Sequence, residues 1–241
     1  MAAEPLAVVV TCEHAGNELP IEWTHLFDSP EARDALESHR GWDIGALDMA
    51  GMIARRLSAP LLAWPVSRLL IESNRSLDAP DLFSSFSRGL SDTERAVLVE
   101  RYYRPYRSSV ERLITAMVAM GHRVLHLAVH SCTDELNGVK RELELGLLFD
   151  PARLFEVEIT GDVRGWFDRH AADYRVRFNE PYLGTDDGLT SFLRTCFPDR
   201  AYAGIELEFR QGFLSNPTEA AALAQATATA IERLRTGLRA A

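Results

Sequence analysis

The sequence predicts an α/β fold of three layers, α/β/α, with a mixed, largely parallel central sheet between helices. Leu6–Cys12 (LAVVVTC) is a short apolar run rich in β-branched residues, with the length and composition of a strand buried on both faces, and 124–130 (VLHLAVH) is another strand. Segments with helical periodicity alternate with them, which is the pattern of repeated β-loop-α units. No internal repeat, low-complexity stretch or linker interrupts the 241 residues, so one domain spanning 1–241 is expected.

The elements follow in order. After the strand Leu6–Cys12 comes a loop rich in Gly, Asn and Pro. A helix over 44–57 presents Leu47, Met49, Met52, Ile53 and Leu57 on one face, with Asp43 at an N-cap-like position. Residues 60–66 and 68–71 read as two strands or one kinked strand, because Pro65 cannot sit inside a central ladder. A long helix over 91–120 opens on Ser91 followed three residues later by Glu94, a capping box. Pro105 is expected to break or kink it near 103–104, and Gly121 closes it. Strands follow at 124–130 and 143–149, then a weaker helix over 163–173 and a short strand at 174–178. A helix over 189–197, a strand at 203–209 and an amphipathic helix over 217–238, with proline at its start, complete the chain.

Composition limits the function classes. The chain is 46% hydrophobic and 25% charged, as in soluble globular proteins. Its net charge of −9 argues against nucleic acid as a partner but leaves room for an anionic small molecule, since a few placed arginines dominate a local field. Cys12, Cys132 and Cys196 have no paired spacing, which suits a reducing compartment and offers no thiolate metal site. Met1 is not followed by a basic and then apolar leader, and no apolar run reaches the roughly 20 residues of a membrane helix. A cytoplasmic protein without membrane contact is expected.

In an open α/β sheet, ligand sites gather at the carboxyl ends of strands, and polar residues collect there in this sequence. Glu13-His14-Ala15-Gly16-Asn17 follows the first strand and also reads as a plain turn. Gly41-Trp42-Asp43-Ile44-Gly45 opens a helix, with His39 just before it, and Asp43 also reads as a simple cap. His130-Ser131-Cys132-Thr133 ends the strand at 124–130. Two histidines at two strand ends suit a metal, because neutral imidazole is the commonest zinc ligand. His126, on the same strand face as His130, reads as core. Glu206 and Glu208 share one face of a late strand, where charge is costly unless it pairs or works. Glu208 is the candidate general base on a metal-activated water, and its plainer reading is an ion pair with an arginine. Asn74 and Arg75, just beyond 67–71, are placed to clamp a carboxylate.

In this order the stretches TCEHAGNELP (11–20), HRGWDIGALDMA (39–50), SRLLIESNRS (67–76), AVHSCT (128–133), LGLLFD (145–150), RFNEPYLGTDDGLT (177–190) and IELEFRQGFL (205–214) resemble the N-formylglutamate amidohydrolase family. That family is similar in fold to zinc carboxypeptidases and aspartoacylase-like deacylases. The resemblance implies one catalytic zinc, a water nucleophile, a glutamate base and an Asn-Arg pair on the substrate carboxylate. Carried onto this chain, it implies His14 and His130 as ligands, with Asp43 as the third and Glu13 and Glu18 as rivals. It further implies Glu208 as the base, Asn74 and Arg75 on the carboxylate, and Arg68 or Arg75 on the oxyanion. Asn179, Glu180 and Tyr182 fall in a loop over the strand ends, within reach of substrate. The expected reaction is hydrolysis of the amide of a small N-acylated acidic amino acid such as N-formylglutamate. The chain departs from the family at Glu13, where Asp is common, and at Gly212-Phe213, where Asp-Leu is common. Other N-acyl amino-acid deacylation, removal of a carboxy-terminal residue from a short peptide, binding without turnover, and Ser131 or Cys132 as nucleophile are the competing readings.

Overall fold

A computed structural model describes residues 5–237; Met1 and Leu238, named above, lie outside them. The strands are β1 (Leu6–Cys12), β2 (Leu61–Ala63), β3 (Arg123–Cys132), a hairpin of β4 (Glu135–Leu136) and β5 (Val139–Lys140), β6 (Leu145–Leu148), β7 (Val176–Phe178) and β8 (Tyr202–Arg210). The helices are α1 (Pro30–Glu37), α2 (Ala46–Leu57), α3 (Asp92–Leu98), α4 (Arg104–Ala119), α5 (Leu154–His170), α6 (Leu189–Cys196), α7 (Gln211–Leu214) and α8 (Pro217–Gly237).

Six strands form one sheet in the order β2-β1-β3-β8-β6-β7. From β2 to β8 every pairing is parallel; β6 runs antiparallel to β8, and β7 runs parallel to β6. Side-chain alternation along each strand builds the layers. Val8, Val10 and Cys12 of β1 face the core shared with α2, α5 and α8, while Val9 faces the opposite core with Tyr106, Val110 and Ile114 of α4 and Leu189 and Leu193 of α6. The sheet therefore lies between two helical layers, as the sequence predicts. No described helix is long and apolar enough to cross a membrane.

Three expectations change. Residues 68–71 are not a strand. They form a turn, with the Leu70 amide donating to the Ser67 carbonyl at 3.0 Å, and Leu69, Leu70 and Ile71 are buried in a separate core with Trp23, Phe27, Leu82 and Leu98. Their apolar character comes from this satellite core and not from a ladder. The helix over 91–120 opens on the expected capping box but divides, with a π-helical turn (Val99–Tyr103) between α3 and α4. Pro105 has no N–H, and the slip of the Arg104 amide to the Val99 carbonyl absorbs its ring. The helix expected over 163–173 begins at Leu154, because Glu156 on its buried face is neutralised by Arg194 at 2.9 Å rather than facing water.

This topology sets the site. β1 and β3 run parallel with Thr11 opposite Ala128, so the residues after both strand ends come alongside each other. β8 continues the layer, with Glu208 opposite His130 on one side and Gly146 of β6 on the other. Gly146 lets the carbonyl of Glu180 approach the sheet, and a Cβ there would collide with that oxygen. The segment after β7 thus lies over the strand ends. Gly146→Ala should lower stability by about 1–3 kcal/mol through overpacking, read as a fall in the chemical-denaturation midpoint. A midpoint equal to that of the parent protein would show that the segment is not packed there.

Candidate functional site

The centre of the site is assembled from three pieces of backbone. His14 lies two residues beyond β1, and its carbonyl accepts the Asp43 amide at 3.0 Å, locking the two segments together. α2 starts at Ala46, not at 44, and Gly45, with φ of 82°, makes the turn into it. Asp43 is therefore released from capping, and its side chain turns inward. His130 comes from the end of β3. His14, Asp43 and His130 are 2%, 4% and 3% exposed, and each offers one ligand atom, all within 4.8 Å of one another.

Around this triad every charge is answered. Asp43 Oδ2 accepts from His130 Nδ1 at 2.9 Å, His14 Nδ1 at 3.3 Å and the Ser131 amide at 3.3 Å, and Oδ1 accepts from Arg68 at 3.2 Å. The far nitrogens of the two rings are also backed by carboxylates. His14 Nε2 meets Glu72, whose other oxygen accepts Arg68 Nε at 2.7 Å. His130 Nε2 stands 3.1 Å from Glu13, whose other oxygen accepts the Tyr106 hydroxyl at 2.8 Å. Two imidazoles with Nδ1 turned to a shared point and Nε2 backed by a carboxylate have the disposition of metal-ligating histidines, whose outer partners fix the tautomer.

The electrostatics follow from burial and these pairs. Burial opposes ionisation of His130, yet hydrogen bonds to Asp43 and Glu13 outweigh it and hold its pKa well above the usual range. Burial also opposes the Asp43 charge, but His14, His130 and Arg68 keep its carboxyl well below the usual range. Glu13, whose burial is likewise outweighed by His130, is lowered to about 2. Protons on the imidazoles balance these carboxylates, and a metal ion placed there would have to displace them.

Glu208 differs in that no ion pair reaches it among the described residues. It is buried, and among them its Oε2 has no hydrogen-bond partner. Burial pushes its pKa up to about 8, against the opposing field of His130. Together with the triad, Arg68, Asn74, Arg75, Ser131 and Tyr182, it lines a cleft of about 170 Å³. Asn74 is 6% exposed; its Oδ1 accepts the Leu189 amide at 2.7 Å, and its Nδ2 makes no hydrogen bond among the described residues. Arg75 is held by the carbonyls of Asn74 and Asp187 at 3.1 and 2.9 Å. Tyr182 sits at the mouth, its hydroxyl accepting from Arg141 at 2.6 Å.

Other sequence candidates are placed elsewhere. Asn179 does not line the cleft: its Oδ1 accepts the amides of Phe149 and Gly184, both at 3.0 Å, and holds the loop on the sheet. Glu18 is exposed beside Val66 and lies outside the triad, and His39 is exposed. His126 is a core residue between Thr11 and Tyr202, at 2.7 and 2.8 Å, and burial lowers its pKa to about 4. Burial pushes the Cys132 thiol up to about 12, which removes it as a thiolate nucleophile at neutral pH. Glu72, Tyr106 and Arg107 carry no role in the sequence reading. Arg107 stacks between Tyr103 and Phe192, at 5.1 and 5.0 Å, and donates to the carbonyls of Ser73 and Arg75. Glu72 has one local sign, its position four residues after Arg68.

A family model described as N-formylglutamate amidohydrolase matches residues 6–215. The chain belongs to that family. Among solved structures, the gene product Atu2144 from Agrobacterium tumefaciens aligns with a TM-score of 0.80 and 26% identity, over 97% of this chain and 92% of that one. The N-formylglutamate amidohydrolase from Ralstonia eutropha JMP134 aligns with a TM-score of 0.70 and 20% identity, over 99% and 95% of the two chains. A metallo-carboxypeptidase from Burkholderia cenocepacia aligns at a TM-score of 0.42 and 11% identity, over 98% of this chain and 58% of that one. No curated protein matches. Membership of the N-formylglutamate amidohydrolase family makes the chain a hydrolase of the amidohydrolase type.

The raised Glu208 pKa has a stability consequence in metal-free protein. Between about 4.5 and about 8 the folded state holds a proton that the unfolded state releases, so this carboxyl costs stability as pH rises through that window. In chelator-treated protein, Glu208→Gln should raise the melting temperature at pH 8 more than at pH 5. An equal shift at both pH values would contradict the assignment.

Proposed function

We propose that this chain hydrolyses the amide of a small N-acylated amino acid, with one zinc ion held by His14, Asp43 and His130. The observation that carries the reading is the shared cleft: three buried ligand atoms within 4.8 Å of one another, and beside them a buried, unpartnered carboxyl, Glu208. Two imidazoles and one carboxylate suit zinc, and three protein ligands are the number that leaves a catalytic position open. A zinc ion bound there supplies Lewis acidity to the acyl carbonyl and to the attacking water.

The chain's own residues do the remaining work. Glu72 accepts the Nε2 proton of His14, and Glu13 stands as a counter-charge 3.1 Å from His130 Nε2, which leaves Nδ1 of each ring to bind metal. Asn74 Nδ2 and Arg75 hold the substrate carboxylate, with Asn74 pinned through its Oδ1. Glu208 takes the proton from water as oxygen adds to the acyl carbon, and returns it to the nitrogen as the C–N bond breaks, giving a carboxylate and a free amine. Arg68, anchored to Asp43 and Glu72 at the cleft wall, places positive charge beside the developing oxyanion. N-formylglutamate, the acidic substrate for which the family is named, defines the bond to assay first.

His14→Ala and His130→Ala should each reduce zinc in the purified protein toward zero, measured by elemental analysis; full occupancy in either would remove that ligand. Glu208→Gln should retain zinc and lose roughly 10²-fold or more in kcat on N-formyl amino acids. An unchanged rate would take Glu208 out of the chemistry.

A further inference from the structure

The cleft has two walls of different character. One is the triad with Glu208. The other is built around Glu206, which lies two residues earlier on β8 and on the same strand face. Its neighbours across the sheet, Ala128 and Leu148, are uncharged. Glu206 Oε1 accepts the Thr190 hydroxyl at 2.7 Å, and no cation pairs with the carboxylate among the described residues.

Each arginine of the cleft already faces a carboxylate of the protein. Arg68 is engaged with Glu72 and Asp43, and Arg75 Nε faces Asp81 at 3.3 Å while its NH1 serves two carbonyls. Acidic residues outnumber them, because Asp186 and Asp187 line the same cleft. Those two aspartates are satisfied by the Leu183 amide and by Ser76, which are dipoles and not charges. Glu206 also lies beside the group that binds the substrate's fixed end. A Cβ at Gly188 would touch Asn74 Oδ1 at 3.2 Å and Glu206 Oε1 at 3.3 Å, so the two side chains flank one small gap that the glycine leaves open. Asn74, 6% exposed, lines this cleft and makes no hydrogen bond through Nδ2 among the described residues, which points to a ligand there independently of the acidic residues.

Resting on the reading of the chain as an N-acyl amino-acid hydrolase, we infer that its side-chain subsite selects a cationic side chain, an ammonium or guanidinium, which Glu206 receives. A substrate carboxylate on Asn74 and Arg75 brings its side chain into reach of Glu206. A cation there supplies the counter-charge that the wall lacks, whereas a second carboxylate adds to an excess of negative charge. The preference is thus opposite in sign to that of an acidic amino acid.

The test compares N-formyl-L-lysine, N-formyl-L-norleucine and N-formyl-L-glutamate on the zinc-loaded protein. kcat/KM for the lysine compound should exceed that for norleucine by about tenfold or more, with glutamate the slowest. In Glu206→Gln, which keeps an acceptor for Thr190, the lysine-to-norleucine ratio should fall to about one, and Glu206→Arg should move the preference toward glutamate. A parent enzyme that favours glutamate, or treats lysine and norleucine alike, overturns the inference and leaves amide hydrolysis standing. If none of the three is cleaved, the proposed function fails. Calorimetric Kd values for the same compounds with zinc-loaded Glu208→Gln then decide the side-chain preference separately, and a lysine compound bound no more tightly than glutamate overturns it.

Discussion

Asp43 is a carboxylate in the interior, 4% exposed, at the junction of the first helix-bearing crossover and two parallel strand ends. A buried charge with no partners would cost several kcal/mol, so the surrounding chain must supply donors. It supplies four: two imidazoles, a guanidinium and a backbone amide. Those partners come from the segment after β1, the loop before α3, and β3, segments far apart in sequence. Meeting the demand of one carboxylate therefore brings together most of the groups that the site uses. Removing one partner would leave the others with unbalanced charge.

The long segment between β2 and α3 contributes little regular structure but much of the site. Its apolar residues, Leu69, Leu70, Ile71 and Leu82, fill a satellite core, and that anchoring fixes the polar residues between them. Arg68 and Glu72 are turned to the triad, and Asn74 and Arg75 to the cleft. Arg107 of α4, clasped by two aromatic rings, holds this loop by its carbonyls. A rigid sheet presents the buried triad from strand ends, and a loop made rigid by its own core presents Asn74 and Arg75 to the cleft.

Local sequence pattern carries much of this architecture. The strands β1 and β3 announce themselves as short apolar runs, and polar residues at their ends point to His14 and His130, while β8 is marked by paired glutamates, Glu206 and Glu208, on one face. Asp43 is legible as a candidate but not as an inward-facing side chain, since its release depends on the turn at Gly45 and on the His14 carbonyl. What local pattern cannot carry is long-range compensation. Leu69–Ile71 look like a strand because burial in any core selects the same residues. The start of α5 is hidden by Glu156, which is buried and is neutralised by Arg194, 38 residues away. Glu72 and Glu13 gain meaning only from the imidazoles they back, and Asn179 looks like a binding residue until the loop amides it accepts are seen.

The proposed chemistry rests on one cation seated among His14, Asp43 and His130. Anomalous diffraction at the zinc edge from crystals of the zinc-loaded protein addresses that position directly. A single strong peak is expected, bonded to Nδ1 of both histidines and to the Asp43 carboxylate, with Glu13 and Glu72 on the far ring nitrogens. No peak between these residues, or a metal bound instead through Glu13, Glu18 or a cysteine, would contradict this assignment.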